Sequence, residues 1–187
     1  ALSENDEYLF SAEDSRIIMW NLDLGKIERI IDQAVTCEDL ACIGDKLLLG
    51  YRNGFKVLNT KTGQAERSLG VDLKLEEVKF CCLIANGEVL ASVKEEKIFL
   101  WSTQKGNLVG EIRTKEEIAS LACPARDSSV IFTGTKKGKI VAWSLSAPYN
   151  VLNLVEGHIR AVTDLVQHPT DSLLLSQSED GEIKLWS

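Results

Sequence analysis

Histidine is nearly absent: His158 and His168 are the only two in 187 residues. A metal centre built on imidazoles is therefore not expected, because zinc sites draw several His or Cys ligands at fixed spacing. The five cysteines do not supply that spacing either, since Cys37 and Cys42 are separated by four residues, Cys81 and Cys82 are adjacent, and Cys123 stands alone. Lying among apolar neighbours on stretches that read as innermost strands, they are expected to be buried free thiols behaving as small hydrophobes. Unpaired thiols suit a reducing compartment, so a cytoplasmic or nuclear location is expected. The chain has no Asn-x-Ser/Thr acceptor, which agrees with that placement. No apolar run approaches the roughly 20 residues that span a bilayer, so no membrane partner is expected. Ala1-Leu2-Ser3-Glu4 does not read as a signal peptide. Basic excess is also lacking: 21 Lys and Arg face 28 Asp and Glu, a net charge of −7, which argues against a binder of nucleic-acid phosphates. No cofactor is implied.

What remains is the composition of an ordinary globular chain, 44% hydrophobic and 26% charged, long enough for one domain with a sizeable core. Its most informative stretch is the last thirty residues. Gly157-His158 opens it, and a short apolar strand follows through Val162, Leu165 and Val166. A turn at Pro169-Thr170-Asp171-Ser172 leads to a buried-looking run at 173–176. A tight turn at Glu179-Asp180-Gly181 then leads to Ile183-Lys184-Leu185-Trp186. Three short strands joined by turns form a meander, which cannot bury its own faces and must stack against similar units.

Similar units precede it. Trp20, Leu58, Trp101, Trp143 and Trp186 each end an apolar strand (IIMW, FKVL, IFLW, IVAW, IKLW), at steps of 38, 43, 42 and 43 residues. A period near 40–45 residues with Gly-His and Trp marks is the sequence signature of a four-stranded propeller blade. On these residues the chain resembles the WD-repeat family over essentially its whole length, 1–187. The resemblance implies an all-β propeller of four-stranded antiparallel blades. Nearly five blades are expected here: one short of its inner strand, three whole, and a last one ending at its third strand. Members of the family most often close with seven blades, so the chain is expected to be a segment of a larger propeller. The alternative is closure by association through open blade edges.

The resemblance also implies a structural network in the final copy. His158, Ser176 and Asp180 stand 28, 10 and 6 residues before Trp186, the family's His–Ser–Asp–Trp spacing. A buried imidazole, hydroxyl, carboxylate and indole can satisfy one another's hydrogen bonds. A Ser/His/Asp catalytic triad is the competing reading. It is set aside because the Trp shares the spacing, Asp180 lies in a strand-joining turn, and no oxyanion hole is signalled.

Earlier copies are degenerate. Ser11, Asp14 and Trp20 fit the first copy if its turn is one residue short. The second has Leu58 for the Trp and Leu49 or Gly50 at the Ser position, so apolar packing alone is expected to hold it. The third keeps Trp101 but places Ala91 at the Ser position and Glu95 at the Asp position. The fourth keeps Thr133 and Trp143, with Lys115 and Lys137 at the His and Asp positions.

The family generally binds peptides or protein domains on one propeller face. Carried over by spacing, the residues expected there are Glu13, Arg52, Lys94, Lys136 and Glu179, with Arg160, Ala161 and Thr163 near the start of the last inner strand. Lys136-Lys137-x-Lys139 is the most basic cluster, suited to an acidic peptide or phosphate. No aromatic is interleaved with these lysines, which argues against single-stranded nucleic acid. The function expected is a protein–protein interaction scaffold without catalysis. The alternatives are a blade set that completes a propeller or oligomer, and, last, an enzyme on a propeller scaffold.

Overall fold

Short apolar stretches bounded by turn residues fold into five antiparallel sheets, laid down one after another along the chain. The computed structural model describes residues 1–3, 6–33, 36–37, 39–51, 54–69, 80–84, 88–123, 129–168 and 171–187. The expected turn residues Asn53, Asn86, Gly87, Pro169 and Thr170, the binding residue Arg52 and the strand start Val78 lie outside these.

The first sheet holds β1 (Tyr8–Glu13), β2 (Arg16–Asn21) and β3 (Lys26–Asp32), with Leu2 bridging to Leu9 at its inner edge. The second holds β4 (Asp39–Ile43), β5 (Lys46–Tyr51), β6 (Gly54–Asn59) and β7 (Ala65–Leu69). The third holds β8 (Phe80–Ile84), β9 (Val89–Lys94), β10 (Lys97–Ser102) and β11 (Leu108–Arg113). The fourth holds β12 (Ile118–Ala122), β13 (Val130–Thr135), β14 (Lys139–Ser144) and β15 (Val151–Glu156). The fifth holds β16 (Val162–Gln167), β17 (Leu174–Ser178) and β18 (Ile183–Trp186). Among the described residues there is no helix. The stretch 26–31, an outer strand by sequence, is β3, and it pairs with β2. Each sequence copy therefore begins with the outer strand of the preceding blade.

Innermost strands lie side by side, β4 against β8, β8 against β12 and β12 against β16, so the sheets stack face to face like blades around an axis. Four apolar clusters fill the spaces between consecutive blades. Phe10, Ile17 and Met19 meet Leu47, Leu49 and Leu58, while Leu48 on the opposite face meets Leu90 and Trp101. That explains the unbroken Leu47-Leu48-Leu49: a strand between two neighbours is buried on both faces, which lifts the usual alternation. Blade 5 shows the contrary case. Leu174 and Ser176 face blade 4 and are buried, whereas Leu175 points outward. The run at 173–176 is therefore not uniformly buried, because blade 5 packs on one face only.

Two expectations about composition change here. Cys82 on β8 and Cys123 just after β12 form a disulfide between blades 3 and 4, with Cα atoms 6.4 Å apart. They are not free thiols, because adjacent inner strands bring two cysteines 41 residues apart into contact. Cys37 and Cys42 remain half-buried thiols, and Cys37 Sγ donates to the Asp39 carbonyl at 3.1 Å. The second blade is also not held by apolar packing alone. Gln33, just past β3, accepts hydrogen bonds from Tyr51 Oη at 3.1 Å and Lys56 Nζ at 3.0 Å. Burial pushes the Tyr51 hydroxyl up to about 12.

Candidate functional site

The feature that recurs through the blades is an indole N–H donating to a hydroxyl one strand away. Trp20 donates to Ser11, Trp101 to Ser92, Trp143 to Thr133 and Trp186 to Ser176, each at 2.9 Å. In every case the hydroxyl residue pairs with the residue two positions before the Trp: Ile18, Phe99, Val141 and Lys184. Turn length then sets the sequence spacing. Blades 1 and 3 turn through two residues, Asp14-Ser15 and Glu95-Glu96, and their hydroxyls fall nine residues before the Trp. Blades 4 and 5 have longer turns and a spacing of ten. Ser92 is therefore the hydroxyl of the third blade, and the assignment to Ala91 is corrected. Ala91 points to the other face, into the cluster between blades 3 and 4. The short turn also places Asp14 and Glu95 at φ 50° and 53°. Neither carboxylate joins a network: the Glu95 carbonyl instead accepts from Ile118 N at 3.0 Å, linking blade 3 to blade 4.

The last blade brings His158, Ser176, Asp180 and Trp186 together. His158 Nε2 lies 2.7 Å from Ser176 Oγ, and His158 Nδ1 lies 3.0 Å from Asp180 Oδ2. Every donor is used if the neutral ring carries its proton on Nδ1: Trp186 N–H donates to Ser176, Ser176 O–H to His158, and His158 N–H to Asp180. Asp180 also accepts from the backbone N–H groups of Ile159 at 3.1 Å and Glu182 at 2.9 Å. Burial works against its charge, but these N–H donors and the His158 ring outweigh it and hold the carboxyl down at about 2. The His158 and Asp180 side chains are 0% and 3% exposed. The atoms of a hydrolytic triad are present, yet Ser176 is sealed and its oxygen is committed to the indole, so no substrate carbonyl can reach it. His158, Asp180 and Glu182 place ligand atoms within 4.8 Å of one another, but the imidazole nitrogens face Asp180 and Ser176, and Glu182 pairs with Lys184 at 2.7 Å.

The glycine of the Gly157-His158 pair has a packing reason. A Cβ at Gly157 would lie 2.8 Å from the Trp186 ring. At Gly138, with φ +82°, a Cβ would collide with the His158 carbonyl, while the Gly138 carbonyl accepts from His158 N at 3.0 Å. The blade 4 turn thus locks the start of blade 5.

Blade 4 has a different network, which spacing rules miss. Glu116, one residue past the His position, accepts from Lys139 Nζ at 2.8 Å and Thr135 Oγ1 at 3.1 Å, with Lys137 at 3.9 Å. The Lys139 and Thr135 hydrogen bonds and the nearby lysine charges lower the Glu116 carboxyl pKa, against the effect of burial. A carboxylate two residues before an alternating strand is the only sequence signal for it.

Among the residues carried over to a binding face, Glu13, Lys94, Lys136 and Glu179 all sit at the hairpin turn that leads into the Trp-bearing strand. The inner strands start at the same rim, since Ile118 pairs with Thr135 and Val162 with Ser178. Arg160 and Thr163 are exposed there, while Ala161 is half-buried and accepts from Glu179 N at 3.0 Å. The basic cluster is largely neutralised within the chain. Lys136 pairs with Glu117 at 2.7 Å, and Lys137 and Lys139 both face Glu116.

Stacked antiparallel sheets of three or four strands, four of the five pinned by an indole-to-hydroxyl bond, define a protein of β-propeller blades. Residues 149–187 match the sequence model of the WD domain, G-beta repeat. The chain is 34% identical over 104 residues to Protein ROOT INITIATION DEFECTIVE 3 of Arabidopsis thaliana, covering 56% of this chain and 23% of that protein. It is 27% identical over 188 residues to Apoptotic protease-activating factor 1 of Rattus norvegicus, covering 95% of this chain and 15% of that protein. It is 22% identical over 192 residues to the Pre-rRNA-processing protein crb3/ipi3 of Schizosaccharomyces pombe, covering 93% and 43%. Residues 149–187 thus carry a WD repeat, and the chain, similar to these proteins along most of its length, spans less than half the length of each of them.

Proposed function

We propose that residues 1–187 form one set of blades whose function is to bind protein partners, without catalysis, at the rim where second strands end and inner strands begin. One observation carries the reading: the side chains with catalytic potential are sealed inside blade 5, while the rim presents an exposed, charge-mixed array. Glu13, Glu179, Arg160 and Thr163 are exposed on it and Lys94 is half-exposed, a pattern suited to polar recognition of a peptide or domain. Arg52 belongs to the same proposal by spacing. The similarity to a pre-rRNA-processing protein supports a nuclear assembly as the setting. The test is affinity capture of partners with the wild-type chain and with Arg160→Glu/Glu179→Lys, both exposed positions. Partners retained by the first and lost by the second, at unchanged melting temperature, support the rim; an identical partner set refutes it.

A second reading is favoured by one surface. Val166, Leu175 and Leu185 are cross-strand neighbours on the outward face of blade 5, and all three are exposed. An apolar row on an uncovered sheet face seats further β-structure, from the same ring or a second copy. Light scattering after size exclusion tests this: a monomer that stays monomeric at high concentration, indistinguishable from Leu175→Glu, refutes it.

A further inference from the structure

The four Trp-bearing blades differ in what lies above the indole-bound hydroxyl. In blade 5 the His158 ring sits there. In blade 4 the residue at the same spacing is Lys115, whose side chain is exposed. A cavity of about 300 Å³ borders the buried pair Thr133 and Trp143, which have no imidazole beside them. Its apolar walls are Val141, Trp143, Val151 and Leu154, and it extends outward to the exposed strand β15. At the far end of β14, Tyr149 reaches across to β11, its hydroxyl 3.4 Å from the Val109 carbonyl, so blades 3 and 4 are tied below the opening.

The mouth is cationic. Arg113, Lys115 and Lys139 line it, against the single carboxylate of Glu116, on a chain whose net charge is −7. The mouth's donors already hold one carboxylate, since Lys139 and Thr135 together bind that of Glu116. Lys115 has no such partner among the described ion pairs, and Arg113 spends only its Nε on Glu111, at 2.9 Å. Apolar walls behind a rim of donors suited to carboxylates describe one occupant.

We propose that this inter-blade cavity docks an acidic peptide segment by burying one large apolar side chain, with flanking carboxylates on Lys115 and Arg113. The mouth borders the rim at blade 4, but its lining shares no residue with the rim set Glu13, Lys94, Lys136, Glu179, Arg160 and Thr163, so the two are tested independently. The apolar side chain supplies the burial, and the rim charges fix register and steer association.

The probe is a fluorescein-labelled peptide, acetyl-Glu-Asp-Leu-Asp-Glu, followed by anisotropy against the intact protein. Saturable binding is expected, weakened by added salt and lost when the peptide's leucine is replaced by glycine. Lys115→Glu reverses one exposed rim charge and is expected to weaken binding by about fivefold. Leu154→Asp places a charge in the wall and is expected to abolish binding. Both positions are exposed, and a circular-dichroism melt confirms that each variant is folded. Arg160→Glu, on blade 5, is expected to leave this peptide's affinity unchanged while altering partner capture at the rim. The proposal is overturned by absence of saturable binding, by equal affinity of wild type and Lys115→Glu, or by equal binding of a lysine-flanked peptide.

Discussion

Replacing Ser92 by alanine removes the hydroxyl that accepts the Trp101 indole N–H at 2.9 Å, deep between blades 2 and 3. Trp101 is 1% exposed and Ser92 0%, so water cannot take over the lost bond. An orphaned buried donor costs about 1–3 kcal/mol. Trp101→Phe orphans the hydroxyl instead and leaves a void beside Leu48 and Phe55, costing about 2–4 kcal/mol in all. If the two side chains are coupled through that one bond, the double variant should cost about 1 kcal/mol less than the two single losses together. Urea unfolding with a common slope reads all four states, and a loss of about 2 kcal/mol should also lower the melting temperature by about 4–8 °C in a chain of this size. Ala91→Ser supplies the control: it introduces a hydroxyl on the face toward blade 4 and gains no indole partner. Additive single losses, or a Ser92→Ala protein as stable as wild type, would refute the pairing and with it the rule that turn length sets the hydroxyl position.

Three further outcomes are expected. The Asp180 carboxyl, at about 2 in the fold against an ordinary 3.8, adds stability present above pH 4 and lost as pH falls toward 2. Urea midpoints between pH 2 and 7 should therefore flatten on the acid side in Asp180→Asn, and an unchanged acid limb would count against the network. Gly181→Ala, at φ +85° with open space around it, should cost about 1–2 kcal/mol, the strain of a left-handed backbone alone. Gly138→Ala, at φ +82° against the His158 carbonyl, should cost clearly more in the same assay, and equal losses would mean the blade 4 turn does not lock blade 5. Reduction of the Cys82–Cys123 bridge, which closes a 41-residue separation, should expose two further thiols and lower stability by about 2–4 kcal/mol. Cys82→Ala/Cys123→Ala should be insensitive to reductant, and a wild-type melt unchanged by reductant would refute the bridge.

Much of the blade 5 arrangement is legible in the sequence, because its four polar residues stand at undistorted spacing. In blade 3 the same spacing points one residue away, to Ala91 instead of Ser92, since the two-residue turn shortens the hairpin and shifts the hydroxyl relative to the Trp. Allowing for that shortening in blade 1 leads to Ser11, which does meet Trp20. Glu116 has the sequence context of a solvated charge run; its capture by Lys139 and Thr135 depends on how the β11–β12 connection crosses the hairpin β13–β14. Lys136 and Lys137 form an open basic cluster along the chain, yet acids about twenty residues earlier neutralise them in the fold.

By itself the sequence determined the strand period, the order of the sheets and the positions of the hairpin turns, because these follow from local alternation and turn chemistry repeated along the chain. Only the tertiary structure decided that Cys82 meets Cys123, that Leu175 faces outward, and that a cavity borders Thr133 and Trp143 in blade 4. Each of those depends on which strands become neighbours across forty residues and on the register their turns impose, and spacing along the chain does not carry that information.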